Sequence, residues 1–496
     1  MSAWRGRWSG RLAALALGAP LALAFPRPGL WWLAFVGLAP LLLLAAAARD
    51  RREAAVRAWL GGTGFFLAVN LFLAPKVGPF MLPLALLLGA LWLPLGWLAW
   101  RLLGRPTVGR LAAALALLPS VLVVGEAVRS WEGFGGPWGL LGASQWNHPP
   151  TLAVAALGGV WAVSFLLAAV NVAVAAAARP GGPVTVRAAA AATAVVLPLA
   201  ALAWWAWRPA PPPAGTVRVA LVQPGVISPV EARFQASERL SLALRQGSGG
   251  PVDLVVWGES SVGRDPAAHP GDLARLAAVA RAAGGPVLAN VDAQRGRDGG
   301  IYKTALLVGP SGVLGSYDKM RLVPFGEYVP LRPLLGWVTR FTDAAKVDRH
   351  RGRRLAVLPA GRLPIGPLIC FESAFPDLAR NLAARGAGLI VVQTADTTFQ
   401  RSWGPDQHAS LAAVRAVEAG RPVVQAAISG VSAAFDARGH RLAWRPTSWR
   451  GVAVVELPGS RERTPYDRAG DRLPAACALA LAAAAVTAGL RRRAAA

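Results

Sequence analysis

Residues 363–376 read LPIGPLICFESAFP. The first half is a short apolar run of the kind that forms a buried strand, and Pro376 opens a helix-compatible stretch. Between them stand a lone thiol, Cys370, and a carboxylate, Glu372. Strand, sharp turn and helix is a geometry that presents a nucleophile with backbone N–H groups close by to hold an oxyanion. The other cysteine, Cys477, lies in an apolar run near the C-terminus, so Cys370 has no disulfide partner in its own region. On these residues alone Cys370 is either a small buried hydrophobe or a reagent.

Outward from this stretch, further short apolar runs recur at VRVALVQP, LVVWGES, PVLANVD, TALLVG, GLIVVQTA and PVVQAAISG, with helical patterns at 272–283 and 405–419 among those between them. Alternation of buried strands with helices predicts an α/β domain. It begins after a PAPPPAG linker, and we place it at 214–465.

The rest of the chain is of another kind. Apolar residues make up 54% of the 496, with a mean hydropathy of +0.42, too hydrophobic for an ordinary soluble protein. Segments 12–25, 30–48, 58–74, 77–100, 111–128, 152–178 and 188–207 read as membrane spans, making 1–213 a transmembrane domain. An eighth run, 473–490, ends in three arginines and places a last span and a cytoplasmic tail in 466–496. The first span is short and ends LALAF, which also fits a cleaved signal peptide, although another span follows closely, as in a helical hairpin.

Fifteen arginines fall in the odd-numbered connections and the tail: Arg5, Arg7 and Arg11; Arg49, Arg51, Arg52 and Arg57; Arg101, Arg105 and Arg110; Arg179 and Arg187; Arg491, Arg492 and Arg493. The intervening loops carry three charges, Arg27, Lys76 and Arg129. Basic residues collect on the cytoplasmic side, so both ends are expected there and the α/β domain outside. The formal charge of +26 is spread along the chain instead of forming one face, which argues against a nucleic-acid partner. Five scattered histidines and two distant cysteines give no metal spacing.

Only four of the 52 basic residues are lysines, so a lysine in this chain is informative. Lys319 lies in YDKMRLVPFGEYVP with Glu327, and Glu259 ends the apolar run VVWGES. A thiol needs a base or a cation to become a thiolate. Glu259 would accept its proton if a dry pocket raised the carboxyl pKa, and Lys319 would stabilise charge developing on a carbonyl oxygen. Read singly, Glu259 is also a solvated strand end and Lys319 a surface charge.

Taken together, Glu259 in WGES, Lys319 and Glu327 in YDKMRLVPFGEYVP, Cys370 in ICFES and the stretch GPDQHASLAAVRAVEAGRP resemble the carbon-nitrogen hydrolase, or nitrilase, superfamily. With the flanking spans, the whole chain resembles its apolipoprotein N-acyltransferase family. That resemblance implies an extracytoplasmic αββα sandwich joined to a polytopic helical domain of about eight spans. It implies Cys370 as nucleophile, Glu259 as general base, Lys319 as oxyanion stabiliser and Glu327 as an orienting carboxylate, with Glu372 at a position that matters for activity.

The chain departs from the family pattern at Gly258, where proline is usual, and at Phe371, where tyrosine is usual. It departs again at Ala395, Thr397 and Thr398 of the usual Asn-Asp-Ala-Trp-Phe run, and in lacking a tryptophan after the first strand, where Phe234 is the nearest aromatic. The implied reaction moves an acyl chain from a membrane phospholipid, through a thioester on Cys370, to the α-amino group of a diacylglyceryl-cysteine at an apolipoprotein N-terminus. It needs no cofactor or metal, and a monomer in the inner membrane is expected. Two alternatives are a membrane-tethered amidase acting on a small soluble molecule and a transporter carrying a binding module. The transporter would need buried ionisable residues in the spans, of which Glu126 is the main candidate.

Segment 330–354 carries Leu331, Leu334, Leu335, Trp337, Val338 and Phe341, followed by Arg349, Arg351, Arg353 and Arg354. It reads either as a loop packed on its own domain or as a mobile lid that dips into acyl chains while its arginines meet lipid phosphates.

Overall fold

The computed structural model describes residues 2–134, 136–209, 211, 213–246, 250–295, 299–340 and 347–494. They form two compact units, Met1–Arg208 with Asp471–Ala496, and Pro209–Gly470.

The first unit is helical. Among the described residues, five helices are long and apolar enough to cross a bilayer: Leu71–Leu103, Val108–Arg129, Ala155–Ala177, Val184–Trp207 and Arg472–Arg491. The other three expected spans fall on helices that do not meet that measure. Trp8–Ala24 and Leu33–Ala46 are apolar but shorter, the first turning to a tight 3-10 coil at Ala19–Ala24 with Pro20 in its first turn. The helix Arg51–Val69 carries Arg51, Arg52, Glu53 and Arg57 in its first two turns.

Buried charges in this unit are tied down. Glu53 is paired with Arg11 at 2.9 Å and Arg57 at 3.3 Å. Glu126, the carboxylate singled out for a transport reading, accepts a 2.6 Å bond from the backbone of Leu141. Arg129, counted above as a loop charge, is itself buried and donates to the carbonyls of Trp138 and Gly139. Both residues pin the segment that follows their helix.

The second unit is built on two sheets. Its strands are β1 (Pro213–Gln223), β2 (Leu254–Trp257), β3 (Val287–Arg295), β4 (Gly300–Gly309), β5 (Gly312–Asp318), β6 (Ile365–Ile369), β7 (Leu389–Thr394), β8 (Val423–Ala427), β9 (Ser432–Phe435), β10 (Arg441–Arg445) and β11 (Gly451–Ser460). Among the described residues one sheet is ordered β11-β1-β2-β3-β4-β5 and the other β10-β9-β8-β7-β6. Pairing is parallel from β1 to β3 and from β6 to β8. The strands LVVW, IGPLI, LIVVQT and VVQAA are buried at every position, which is why they read as continuous apolar runs.

Gln393 on β7 crosses between the sheets, its amide donating to the carbonyls of Trp257 at 2.7 Å and Leu288 at 3.0 Å. Helices Val230–Leu242 and Pro270–Ala283 pack on the first sheet, and Pro376–Ala384 and Gly404–Ala419 on the second. The order of layers is αββα, as expected. Phe234 lies in the core, edge-on to Trp257, so it is no substitute for an accessible tryptophan.

Candidate active site

Parallel strands of one sheet end on the same side, so the residues that follow them converge. Cys370 immediately follows β6, Asp396 follows β7 by two residues, and Glu259 follows β2 across Gly258. The approach of the two sheets fixes that glycine. A Cβ at position 258 would lie 2.1 Å from the backbone nitrogen of Ile428, so neither proline nor any other side chain fits. The Glu259 N–H completes the junction by donating to Thr394 O at 3.1 Å.

Lys319 follows β5 and is fully buried, its ammonium 3.2 Å from Glu259 Oε1 and 2.9 Å from Glu327 Oε1. The Cys370 thiol lies close enough to the Glu259 carboxyl for each to act on the other's charge. The structure therefore gathers Glu259, Lys319, Glu327 and Cys370 into one cluster. Glu327 is held from behind by the Val323 N–H at 2.9 Å.

A second lysine completes the cluster, and the sequence reading assigned it no part. Lys303, on β4, places its ammonium 2.7 Å from Glu259 Oε1, 3.4 Å from Glu327 Oε1 and 3.3 Å from Ser260 Oγ. Asp292, 3.9 Å from Lys303, is in turn bonded to Arg349 at 3.1 Å. The signal was present, since the scarcity of lysine marks Lys303 as much as Lys319.

These charges set the state of the base. Burial pushes the Glu259 carboxyl up, but the two lysines outweigh it and hold the group well below the usual carboxylate range. The expectation that a dry pocket raises Glu259 is corrected by that pair of ammoniums. Burial pushes the Cys370 thiol up, and the Glu259 charge adds to it. At rest the pair is thiol and carboxylate, and the proton leaves sulfur only as sulfur bonds to carbon. Lys319 and Lys303 are both held above the usual lysine range, since Glu259 and Glu327 outweigh their burial.

Cys370 has a φ of +54°, a left-handed conformation that non-glycine residues seldom adopt. Two fixtures hold it there. Glu372, completely buried, accepts from Ile369 N at 2.8 Å with one oxygen and from Tyr317 OH, Met320 N and Arg321 N at 2.7, 2.7 and 3.0 Å with the other. His408 places Nε2 3.0 Å from Cys370 O and Nδ1 2.9 Å from Asp396 Oδ1. Facing a carbonyl and a carboxylate, both ring nitrogens are placed to donate, with Ser373 Oγ 3.1 Å from Nε2 and Thr394 Oγ1 3.3 Å from Nδ1 as hydroxyl partners able to donate or accept. Burial pushes the His408 imidazolium down, and Asp396 outweighs it and raises the pKa. His408 lies in the GPDQHAS stretch, but its role is set by a partner twelve residues away and is invisible in the sequence.

Phe371 is buried edge-on to Phe375, with ring centroids 5.1 Å apart. Leu334 is 68% and Trp337 48% exposed, and Leu335 is half-buried. All three lie on the short turns Arg332–Leu335 and Gly336–Arg340. The base of this segment is stitched to the cluster, with Arg349 N donating to Glu327 O and Gly352 N to Lys319 O. Phe341 lies outside the described residues. Among the described residues, no group of three or more His, Cys, Asp and Glu side chains is placed to hold a metal.

Residues 17–173 match the apolipoprotein N-acyltransferase N-terminal domain, and residues 218–466 the carbon-nitrogen hydrolase domain. The chain is 33% identical to the apolipoprotein N-acyltransferase of Geobacter metallireducens, covering 97% of this chain and 95% of that one. It is 35% identical to the protein of the same name from Azotobacter vinelandii, over 94% and 92%. Among solved structures, a Nesterenkonia amidase of the nitrilase superfamily is 23% identical over 50% of this chain and 94% of its own, with a TM-score of 0.37.

Proposed function

The chain belongs to the apolipoprotein N-acyltransferase family, and from that premise we propose that Cys370 carries the acyl group between lipid and lipoprotein as a thioester. In the first half-reaction the sulfur bonds to the ester carbonyl of a phospholipid while Glu259 takes the thiol proton. Lys319 faces the oxyanion as it forms. The ester C–O bond breaks, the lysophospholipid leaves, and Glu259 returns the proton to its oxygen. In the second half the neutral α-amine of a diacylglyceryl-cysteine attacks the thioester. Glu259 takes the amine proton and passes it to the departing sulfur, giving an amide and the free thiol.

The observation that carries this reading is the position of Glu259, a buried carboxyl held by two ammoniums and near enough to Cys370 for its charge to act on the thiol. Glu327 holds Lys319 in place, and Glu372 and His408 hold the turn. One copy of the chain supplies every one of these residues, so we take the enzyme to act as a monomer, without nucleic acid. The arginine asymmetry of the loops supports a multi-pass protein of the inner membrane with its second unit outside the cytoplasm. The exposed Leu334 and Trp337, with Leu335 beside them, would meet the acyl chains of the donor.

Reconstitution with phospholipid and a diacylglyceryl peptide tests the reading. Wild type should add one amide-linked acyl chain, and Glu259→Gln should be slower by about 10²–10⁴. Replacing Leu334, Leu335 and Trp337 with Ser should slow acylation by phospholipid while Cys370 still reacts with a small soluble thiol reagent. A triple variant acylated at the normal rate would remove the lipid-entry role.

A further inference from the structure

The helical unit contains an open cavity of about 580 Å³ that has no part in the chemistry above. Its floor is apolar, from Leu93, Pro94 and Trp97 on one side to Ala485, Ala488 and Gly489 on the other. Its rim carries Arg51, Arg52 and Arg101. These three come from the start of the helix Arg51–Val69 and the end of the helix Leu93–Leu103. They meet the second half of Arg472–Ala494, away from Asp471.

Three features of this place require an anion with an apolar tail. None of the three guanidiniums has a carboxylate partner among the described residues, and all three are exposed; Arg101 lies over the Trp97 ring at 5.7 Å. Arg51 and Arg52 stand in the first turn of their helix, where the backbone dipole disfavours cations, and an external anion reverses that penalty. The wall at Ala485, Ala488 and Gly489 is one face of a helix whose apolar window is only 6% buried, so it needs cover from outside the protein. Guanidiniums bind phosphate bidentately, and basic pockets between transmembrane helices suit anionic headgroups.

We propose that this cavity is a binding site for one anionic phospholipid, its phosphate on Arg51, Arg52 and Arg101 and an acyl chain along Trp97 and Ala488. This lipid is retained and not consumed. It fills the gap between the C-terminal helix and the Leu93–Leu103 helix. The site is independent of the acyl donor and of the thioester.

Native mass spectrometry of the full chain in detergent, titrated with phosphatidylglycerol or phosphatidylcholine of matched chains, tests it. Wild type should retain one phosphatidylglycerol in preference to phosphatidylcholine, and each arginine changed to Gln should weaken retention about fivefold. Gly489→Phe is the second variant. Gly489 lines the cavity and a Cβ there meets nothing within 4 Å, so a phenyl ring is accommodated without a clash and adds bulk at the cavity wall with every arginine intact. Arg105→Gln with Arg110→Gln removes two charges that do not line the cavity and should retain the lipid, and millimolar inorganic phosphate should not compete. Equal retention of both lipids, unchanged retention in the Gly489→Phe and arginine variants, or equal loss in the control pair would overturn the proposal.

Discussion

Lys303 separates an account based on a lone catalytic lysine from one based on a shared charge cluster. Its ammonium touches Glu259 more closely than Lys319 does, at 2.7 against 3.2 Å. Removing it, as Lys303→Met, takes away the leading cause that holds the Glu259 carboxyl down, so that pKa rises. The base is active only when ionised, and activity is lost as pH falls through its pKa. The acid limb of kcat/KM should therefore move to higher pH in Lys303→Met, with Cys370 still acylated at pH 8. An unmoved limb would leave Lys303 a structural residue. At Cys370 the φ of +54° gives a second prediction. Glycine tolerates that conformation and alanine does not, at a difference of about 1 kcal/mol, so Cys370→Gly should melt above Cys370→Ala while both are inactive. Glu259, Lys319 and Cys370 were legible because each sits in a distinctive run at the end of a strand, and Glu327 because it shares the run of Lys319. Lys303 carried the same lysine signal but stands mid-strand outside those runs, and the role of His408 depends on Asp396 and the Cys370 carbonyl, which only the fold brings to it.

The turn after β6 is the element on which the site depends, and His408 makes it sensitive to pH. Its pKa is raised in the fold. The stability it contributes is fully present below the ordinary imidazole value and is lost as pH rises through the raised one. Wild type should thus lose more melting temperature between neutral and alkaline pH than His408→Gln does, and parallel curves would remove the imidazolium from the account. Legibility at this scale followed burial. The runs that became β2, β6, β7 and β8 were plain in the sequence because every position is buried. By contrast β10, RLAWR, has no buried position, and β11 alternates buried and exposed from Ala453 to Leu457 while holding the edge of the first sheet against β1. Such strands carry too little apolar signal to read without their partners. In the helical unit, the runs at 12–25 and 30–48 contain Pro20 and Pro40 and fall on shorter helices, and the run at 58–74 straddles the end of the helix Arg51–Val69.

For the whole molecule, composition alone separated a membrane unit from an α/β unit, and the arginine asymmetry is the basis on which we propose an orientation. The open cavity of the helical unit agrees with that proposal to the extent that Arg51 and Arg101, from different connections, line it together. Reporter fusions within 214–465 should show extracytoplasmic activity, and fusions after Arg493 cytoplasmic activity; the opposite pattern would place the cluster on the wrong side for lipoproteins. The Cys370 thioester is the central claim, and intact-protein mass spectrometry addresses it most directly. Incubated with phospholipid and no acceptor, the full chain should gain one acyl mass on the peptide carrying Cys370. A diacylglyceryl peptide should then discharge it, and Cys477→Ala should behave like wild type. A folded Cys370→Ala variant that still acylates the peptide, or an acyl mass found on any other residue, would contradict the account.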